Sequence, residues 1–302
     1  MSHGADSLKS ILFALFANAA IAVAKLVAAI ITGSGAMMAE SIHSFADAGN
    51  QSLLILGLKL AKSPPSEDYP LGYGKAIYFW SFIVAIILFS LGGMFSLYEG
   101  WHKLGHPEPL SSPLIAIGVL VFAIVAEGIS MWGCLREVNK VRRGRSYWRW
   151  FRESRQSELL VVFGEDLAAL AGLVFALCAI TLTLVTGNPV YDAAGTMVIG
   201  TLLLIIAILI GNEVRALLIG QSADPVVQDE MKAWLKQRPE IQHTFRLITM
   251  QMGADIMVAI KAQMKETGTE KGMIEAINSV EAEFKKQFPG VTWLFFEPDN
   301  AD

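Results

Sequence analysis

The stretch from Ala36 to Ala61 reads AMMAESIHSFADAGNQSLLILGLKLA. It is long enough to cross a bilayer, since a helix of about 20 mostly apolar residues spans the hydrocarbon core. Yet its first half carries Glu40, His43, Asp47, Asn50 and Gln51. Ionisable groups inside a membrane span are costly unless they face a wet cavity or a partner. A helix of this kind needs neighbours that enclose its polar face.

The neighbours are present. Membrane-length apolar segments cover roughly residues 8–32, 76–101, 112–136, 157–186 and 190–218, making six with the quoted one. Gly33-Ser34-Gly35, Pro64-Pro65, the stretch from Gly105 to Pro113, the basic run near 140–155 and Gly187-Asn188-Pro189 separate them. The 302 residues are 53% hydrophobic and only 17% charged, below the quarter or so usual in soluble proteins. The first segment is too long for the apolar part of a signal peptide, and Asn18 and Lys25 interrupt it. A retained membrane helix is expected there. Net charge is −4, so nucleic acid is not an expected partner. Cys134 and Cys178 lie in apolar runs without metal-ligand spacing and are read as buried small hydrophobes.

Charge alternates between connections. Arg136, Lys140, Arg142, Arg143, Arg145, Arg149, Arg152 and Arg155 lie between the fourth and fifth segments, and Lys59, Lys62 and Lys75 between the second and third. The opposite connections carry Lys103. The positive-inside rule then places both termini in the cytoplasm, with Tyr147, Trp148 and Trp150 at the interface. The expected setting is a multi-pass protein of a bacterial inner membrane.

Residues 221–302 read differently. Asp224-Pro225 starts a helical pattern over 225–237. Strand-like runs at 244–252 and 255–264 flank Gly253-Ala254, a hairpin signal. An amphipathic helix over 271–288 and a strand over 291–297 follow. The expected fold is an all-α six-helix transmembrane bundle over residues 1–220. A small two-layer α+β domain of αββαβ order, ferredoxin-like and cytoplasmic, follows over 221–302.

His43 and Asp47 are four apart and share a helix face, which Asn50 and Gln51 extend. An imidazole and a carboxylate one turn apart make half a site for zinc or a similar ion. An interhelical hydrogen-bond network is the competing explanation. The second half is sought at Glu165 and Asp166, adjacent in the fifth segment. Neighbours on a helix diverge by roughly 100°, so only one of them can face His43 and Asp47 squarely. Ala168, Ala169, Ala171 and Gly172 permit close helix packing. Lys25 and Asn18 share a stripe of the first segment. Glu127, Glu99 and Glu213 are read as partners of basic groups or as snorkelling side chains.

The run from Gly33 to Asp47, GSGAMMAESIHSFAD, resembles the second-helix signature of the cation diffusion facilitators. Tyr69-Pro70-Leu71-Gly72-Tyr73-Gly74-Lys75 is similar to that family's loop before the third helix. The Glu-Asp-x-Ala-Ala stretch at residues 165–169 resembles the zinc transporter 9-like branch. The resemblance implies a homodimeric cation/proton antiporter whose metal binds between the second and fifth helices, with alternating access and paired tail domains. It needs no cofactor, and its cargo is a divalent metal ion. Aligned on Gly172, Asp166 matches a ligand of the family pattern and Val162 stands where many members have His. The implied metal residues are therefore His43, Asp47 and Asp166, with Glu165, Asn50 or water as the fourth ligand or proton-coupling group. Tyr69 and Tyr73 replace loop histidines of some members, and Leu294-Phe295-Phe296-Glu297 lacks the metal-binding His of many last strands. The tail is then a dimer contact, with His243 structural or solvated.

The expected function is proton-coupled efflux of a divalent transition metal, zinc first, with manganese, iron, cobalt or nickel as alternative cargo. An intramembrane metal-dependent hydrolase using Glu165 as base, and a metal-sensing receptor without flux, are the readings from other classes.

Overall fold

The computed structural model describes residues 3–106 and 109–301, with side chains from Asn18 onward. Pro107 and Glu108, within the breaker stretch before the fourth segment, lie outside the described residues. Helices α1 (His3–Thr32), α2 (Gly35–Ala61), α3 (Ala76–Ile87), α4 (Phe95–Gly105) and α5 (Pro113–Val141) come first. Helices α6 (Tyr147–Glu153), α7 (Ser157–Thr186) and α8 (Val190–Ile219) follow. Between α3 and α4 the chain stays helical as a π segment, Leu88–Met94. Thus the third segment is one continuous helical rod, Ala76–Gly105.

Among the described residues, four rods are long and apolar enough to cross a membrane: Ala76–Gly105, Pro113–Val141, Ser157–Thr186 and Val190–Ile219. The apolar part of α1 described with side chains is the shorter Asn18–Thr32. Helix α2 has 27 residues, about 40 Å of helix at 1.5 Å per residue, but its polar stripe lowers its hydropathy. Bulky apolar side chains such as Phe122, Val125 and Ile129 of α5 point outward, as lipid-facing groups do. Cys134 is buried, whereas Cys178 is exposed on α7. The expectation that both are buried therefore fails for Cys178, because a membrane helix turns apolar residues outward as well as inward. Trp148 is exposed, but Trp150 is 1% exposed. Trp150 therefore belongs to the packed side of α6 and not to an interfacial belt.

The chain forms two compact units. One comprises Met1–Gly57, Trp80–Ser146 and Glu158–Val214. In it α1 packs along α5, and α2 begins at an unusual cap. The Asp192 carboxylate of α8 accepts from Ser34 Oγ at 2.6 Å and from the Gly35 N–H at 2.7 Å. The Lys103 ammonium donates to the Gly33 carbonyl on the same turn. Helix N-termini leave four N–H groups unpaired, and an anion there is favoured twice over, by hydrogen bonding and by the helix dipole. Replacement Asp192→Ala leaves Ser34 and Gly35 buried without this acceptor. It should cost about 1–3 kcal/mol, read as a lowered midpoint in thermal unfolding of the detergent-purified protein.

The other unit comprises Leu58–Phe79, Tyr147–Ser157 and Arg215–Asp302. Its core is built from α9 (Pro225–Lys236), α10 (Glu270–Gln287) and strands β1 (Ile241–Met252), β2 (Asp255–Met264) and β3 (Val291–Pro298). Asp224 caps α9 by accepting from the Val226 N–H at 2.9 Å. The hairpin turns through Gly253, whose φ is +73°, a left-handed conformation that suits glycine. The sheet order is β1-β2-β3, with β1 and β2 antiparallel and β2 and β3 parallel. That is one strand fewer than a full βαββαβ ferredoxin-like sheet, although the αββαβ order matches. Met231, Leu235, Val258, Ile260, Val280 and Phe284 form the core.

The loop before α3 packs onto this unit. A Cβ on Gly74 would collide with the Met252 carbonyl, so the second glycine of Gly-Tyr-Gly-Lys lets the loop lie directly on the hairpin turn. The Gly253 N–H donates to the Tyr78 hydroxyl at 2.8 Å. The Tyr69 and Tyr73 rings pack against each other, tilted by 39° with centroids 4.6 Å apart. Arg155 Nε donates to the Ser222 carbonyl at 2.6 Å, tying the segment after α6 to the start of the tail.

Candidate metal site between helices α2 and α7

On α2 the residues Glu40, His43, Ser44 and Asn50 share the buried face. The 3.6-residue repeat places His43 and Asp47 one turn apart. His43 Nδ1 lies 3.4 Å from Asp47 Oδ1, and the imidazole is fully enclosed. Small residues allow α7 to come close. Ala168, Ala169 and Gly172 are buried, and no side-chain atom would fit at Gly172 without meeting Glu40 Oε1.

The two adjacent carboxylates of α7 diverge, as the helix geometry requires. Asn50 Nδ2 donates to Glu165 Oε1 at 2.6 Å. Asp166 instead turns toward α5, where the Ser130 hydroxyl lies 3.3 Å from each of its oxygens. The direct link from α7 to α2 is therefore through Glu165, while Asp166 faces a small cavity.

That cavity has a volume of about 20 Å³, room for about one water-sized occupant. Asp47, Glu127, Glu165 and Asp166 line it, together with Ser44 and Val162. Four carboxyl groups thus converge from α2, α5 and α7. Glu127, read from the sequence as a partner of a basic group or a snorkelling side chain, is one of them. Its central position in the fourth segment was the available signal, but only packing shows which way it points. His43 is not among the lining residues, although its Nδ1 lies 3.4 Å from Asp47 Oδ1. Among the described residues, no three His, Cys, Asp or Glu side chains lie close enough to hold a metal ion as they stand.

The unpaired atoms lie along the α2 stripe that includes Asp47. Glu40 Oε1, both nitrogens of His43, Asp47 Oδ1 and Asn50 Oδ1 are buried without a hydrogen-bond partner among the described residues. All four residues belong to α2. Buried polar groups are normally satisfied, and leaving one unpaired costs about 1–3 kcal/mol. Chemically, this is a set of nitrogen and oxygen lone pairs beside four carboxyl groups. Such a set suits a divalent cation and offers nothing to an anion.

In the tail, the His243 ring packs edge-on to Phe245 at 4.9 Å. The outer face of the sheet carries exposed Ile248 and Phe295. They lie in one row across β1, β2 and β3, because Ile248 is opposite Ala259 and Ala259 opposite Phe295.

Residues 11–219 match the model of the cation efflux transmembrane domain. The mitochondrial proton-coupled zinc antiporter SLC30A9 of Xenopus laevis is 35% identical over 247 residues, covering 81% of this chain and 44% of that protein. The Homo sapiens protein of the same name is 34% identical over 237 residues, covering 78% of this chain and 42% of that protein. Metal tolerance protein C4 of Arabidopsis thaliana is 33% identical over 195 residues, covering 64% and 43%. The chain thus spans less than half the length of these relatives. With the family model matched across more than half of its residues, this multi-pass membrane chain belongs to the cation efflux family, the cation diffusion facilitators, and is similar to the zinc transporter 9-like branch.

Proposed function

We propose that the protein exports a divalent transition metal, zinc first, in exchange for protons. One observation carries this reading: the unpaired polar atoms of α2 lie beside the carboxylates that converge from α5 and α7. His43, Asp47 and Asp166 are the proposed ligands, with Glu165 or Asn50 completing the set. Small side-chain rotations of Asp47 and Asp166, and a turn of His43 toward the cavity, would close the set around an ion. The relatives named as proton-coupled zinc antiporters support the choice of zinc.

The chemistry of coupling follows from the ligands. Metal ligands must be deprotonated, so a bound metal displaces protons and protons displace the metal. Protonation from the far side would then release the ion. The bundle is proposed to have six crossings, the four apolar rods plus α1 and α2, with both termini on the side of the basic connections. The bacterial inner membrane is the proposed setting on the sequence, while the names of the SLC30A9 relatives point to mitochondria; fractionation of tagged protein decides between them.

Two domains, residues 1–220 and 221–302, are proposed to divide the work between transport and pairing. The exposed Ile248 and Phe295 on the open sheet face support a homodimer formed through the tail. Burying two such side chains is worth roughly 1.5–3 kcal/mol each. Ile248→Glu with Phe295→Glu should weaken pairing at least about tenfold, seen as monomer in light scattering.

A flux assay on purified protein in liposomes tests the reading against its rivals. A panel of zinc, manganese, iron, cobalt and nickel is offered with and without a pH gradient. Zinc movement that a pH gradient accelerates is expected. A metal-dependent hydrolase would show no flux, and a sensor would bind metal without moving it.

A further inference from the structure

Lys25 is a charged residue of the α2 neighbourhood that the metal reading leaves without a task. Its side chain is completely buried. Its ammonium donates to Ser44 Oγ at 2.6 Å and to Glu40 Oε2 at 3.3 Å. Ser44 follows His43 and lines the cavity. Lys25 thus reaches α2 on both sides of His43, at Glu40 and at Ser44. It is therefore a positive charge held on α1, one side chain away from a cluster rich in carboxylates.

A purely structural role fits poorly. Burying an ion pair costs more in lost hydration than it returns unless the geometry is excellent, and apolar replacements are often as stable. The pairing here is incomplete, since Glu40 Oε1 has no hydrogen-bond partner among the described residues. A charge of the same sign as the cargo, fixed beside the cargo site, has a direct electrostatic consequence. It repels a bound cation, and it offsets the carboxylates when the cation has left.

We propose that Lys25 is a tethered counter-cation of the transport site, a positioning residue that sets how tightly the site holds a divalent ion and how readily it lets go. This rests on the metal-site reading above. When metal is absent, the ammonium on Ser44 and Glu40 balances part of the negative charge. When metal binds, the same ammonium opposes it and limits its residence. Neither step needs Lys25 to touch the metal.

The test uses the full chain in detergent and in liposomes, with zinc affinity from chelator competition and turnover from zinc flux. Lys25→Met should bind zinc at least about tenfold tighter, because a unit charge within several ångströms acts strongly at the low effective dielectric of such a site. Its maximal flux should fall by a similar factor because release slows. Glu40→Gln should bind more weakly, and Lys25→Met with Glu40→Gln should return to within about threefold of the parent. If Lys25→Met does not fold, the Glu40→Gln and double variants still decide between the outcomes. Unchanged or weaker zinc binding in Lys25→Met, or in the double variant relative to Glu40→Gln, overturns the proposal and leaves Lys25 a packing partner. Failure of the metal-site reading itself looks different: Asp47→Ala would then bind zinc as the parent does.

Discussion

Asp47→Ala should lower zinc affinity by more than about 100-fold, measured by chelator competition on the purified protein. Asp47 is the one proposed α2 ligand that both lines the cavity and approaches His43, at 3.4 Å. Its loss removes a carboxylate from the cavity and an acidic group 3.4 Å from the imidazole. Changing a residue that only supports a ligand costs 10–100-fold in metal affinity, so losing a ligand should exceed that range. The variant should fold, since the removed Oδ1 has no hydrogen-bond partner among the described residues and its loss strands nothing. Asp166→Ala should act in the same direction but less strongly. Asp166 is spent partly on Ser130, and Glu165 remains beside it.

Val162→His has the opposite expected effect. Val162 stands one turn before Asp166 and lines the cavity. An imidazole there would add a nitrogen ligand to a carboxylate-rich set. Nitrogen donors favour zinc over harder ions such as manganese, which suit oxygen donors. The variant should bind zinc about tenfold tighter or more while its manganese affinity changes little. Competition of manganese against radioactive zinc in the same liposomes reads both. Weaker discrimination than the parent would mean that Val162 does not face the ion. In the proposed ligand set Val162 leaves oxygen donors in the majority, and selectivity should therefore differ from that of a two-histidine site.

Much of this arrangement was legible in the chain because its signals are local. Asp224-Pro225 announces α9, and the Asp224 side chain accepts from the Val226 N–H. Gly253 announces the hairpin, and it holds the left-handed turn. His43 and Asp47 share a face because four residues are close to one turn. The features that were not legible depend on contacts between distant segments. The π segment at Leu88–Met94 looks like any apolar helix; its distinguishing feature is Gly93, which lies against Leu204 of α8. Helix α6 is masked by arginines, and nothing in its composition says that Trp150 is buried while Trp148 is exposed. Glu165 and Asp166 were found together, but which one reaches α2 follows from how α7 rotates against α2 and α5. Glu127 and Lys25 were visible as polar interruptions, and their places became clear only when the helices were packed.

The most direct test of proton-coupled metal exchange is to record zinc and proton movement together in liposomes holding the purified protein. With an imposed zinc gradient and no initial pH gradient, zinc entry should drive protons out, and both movements should vanish in Asp47→Ala. Zinc entry without proton movement, or coupled exchange that persists in Asp47→Ala, would contradict it.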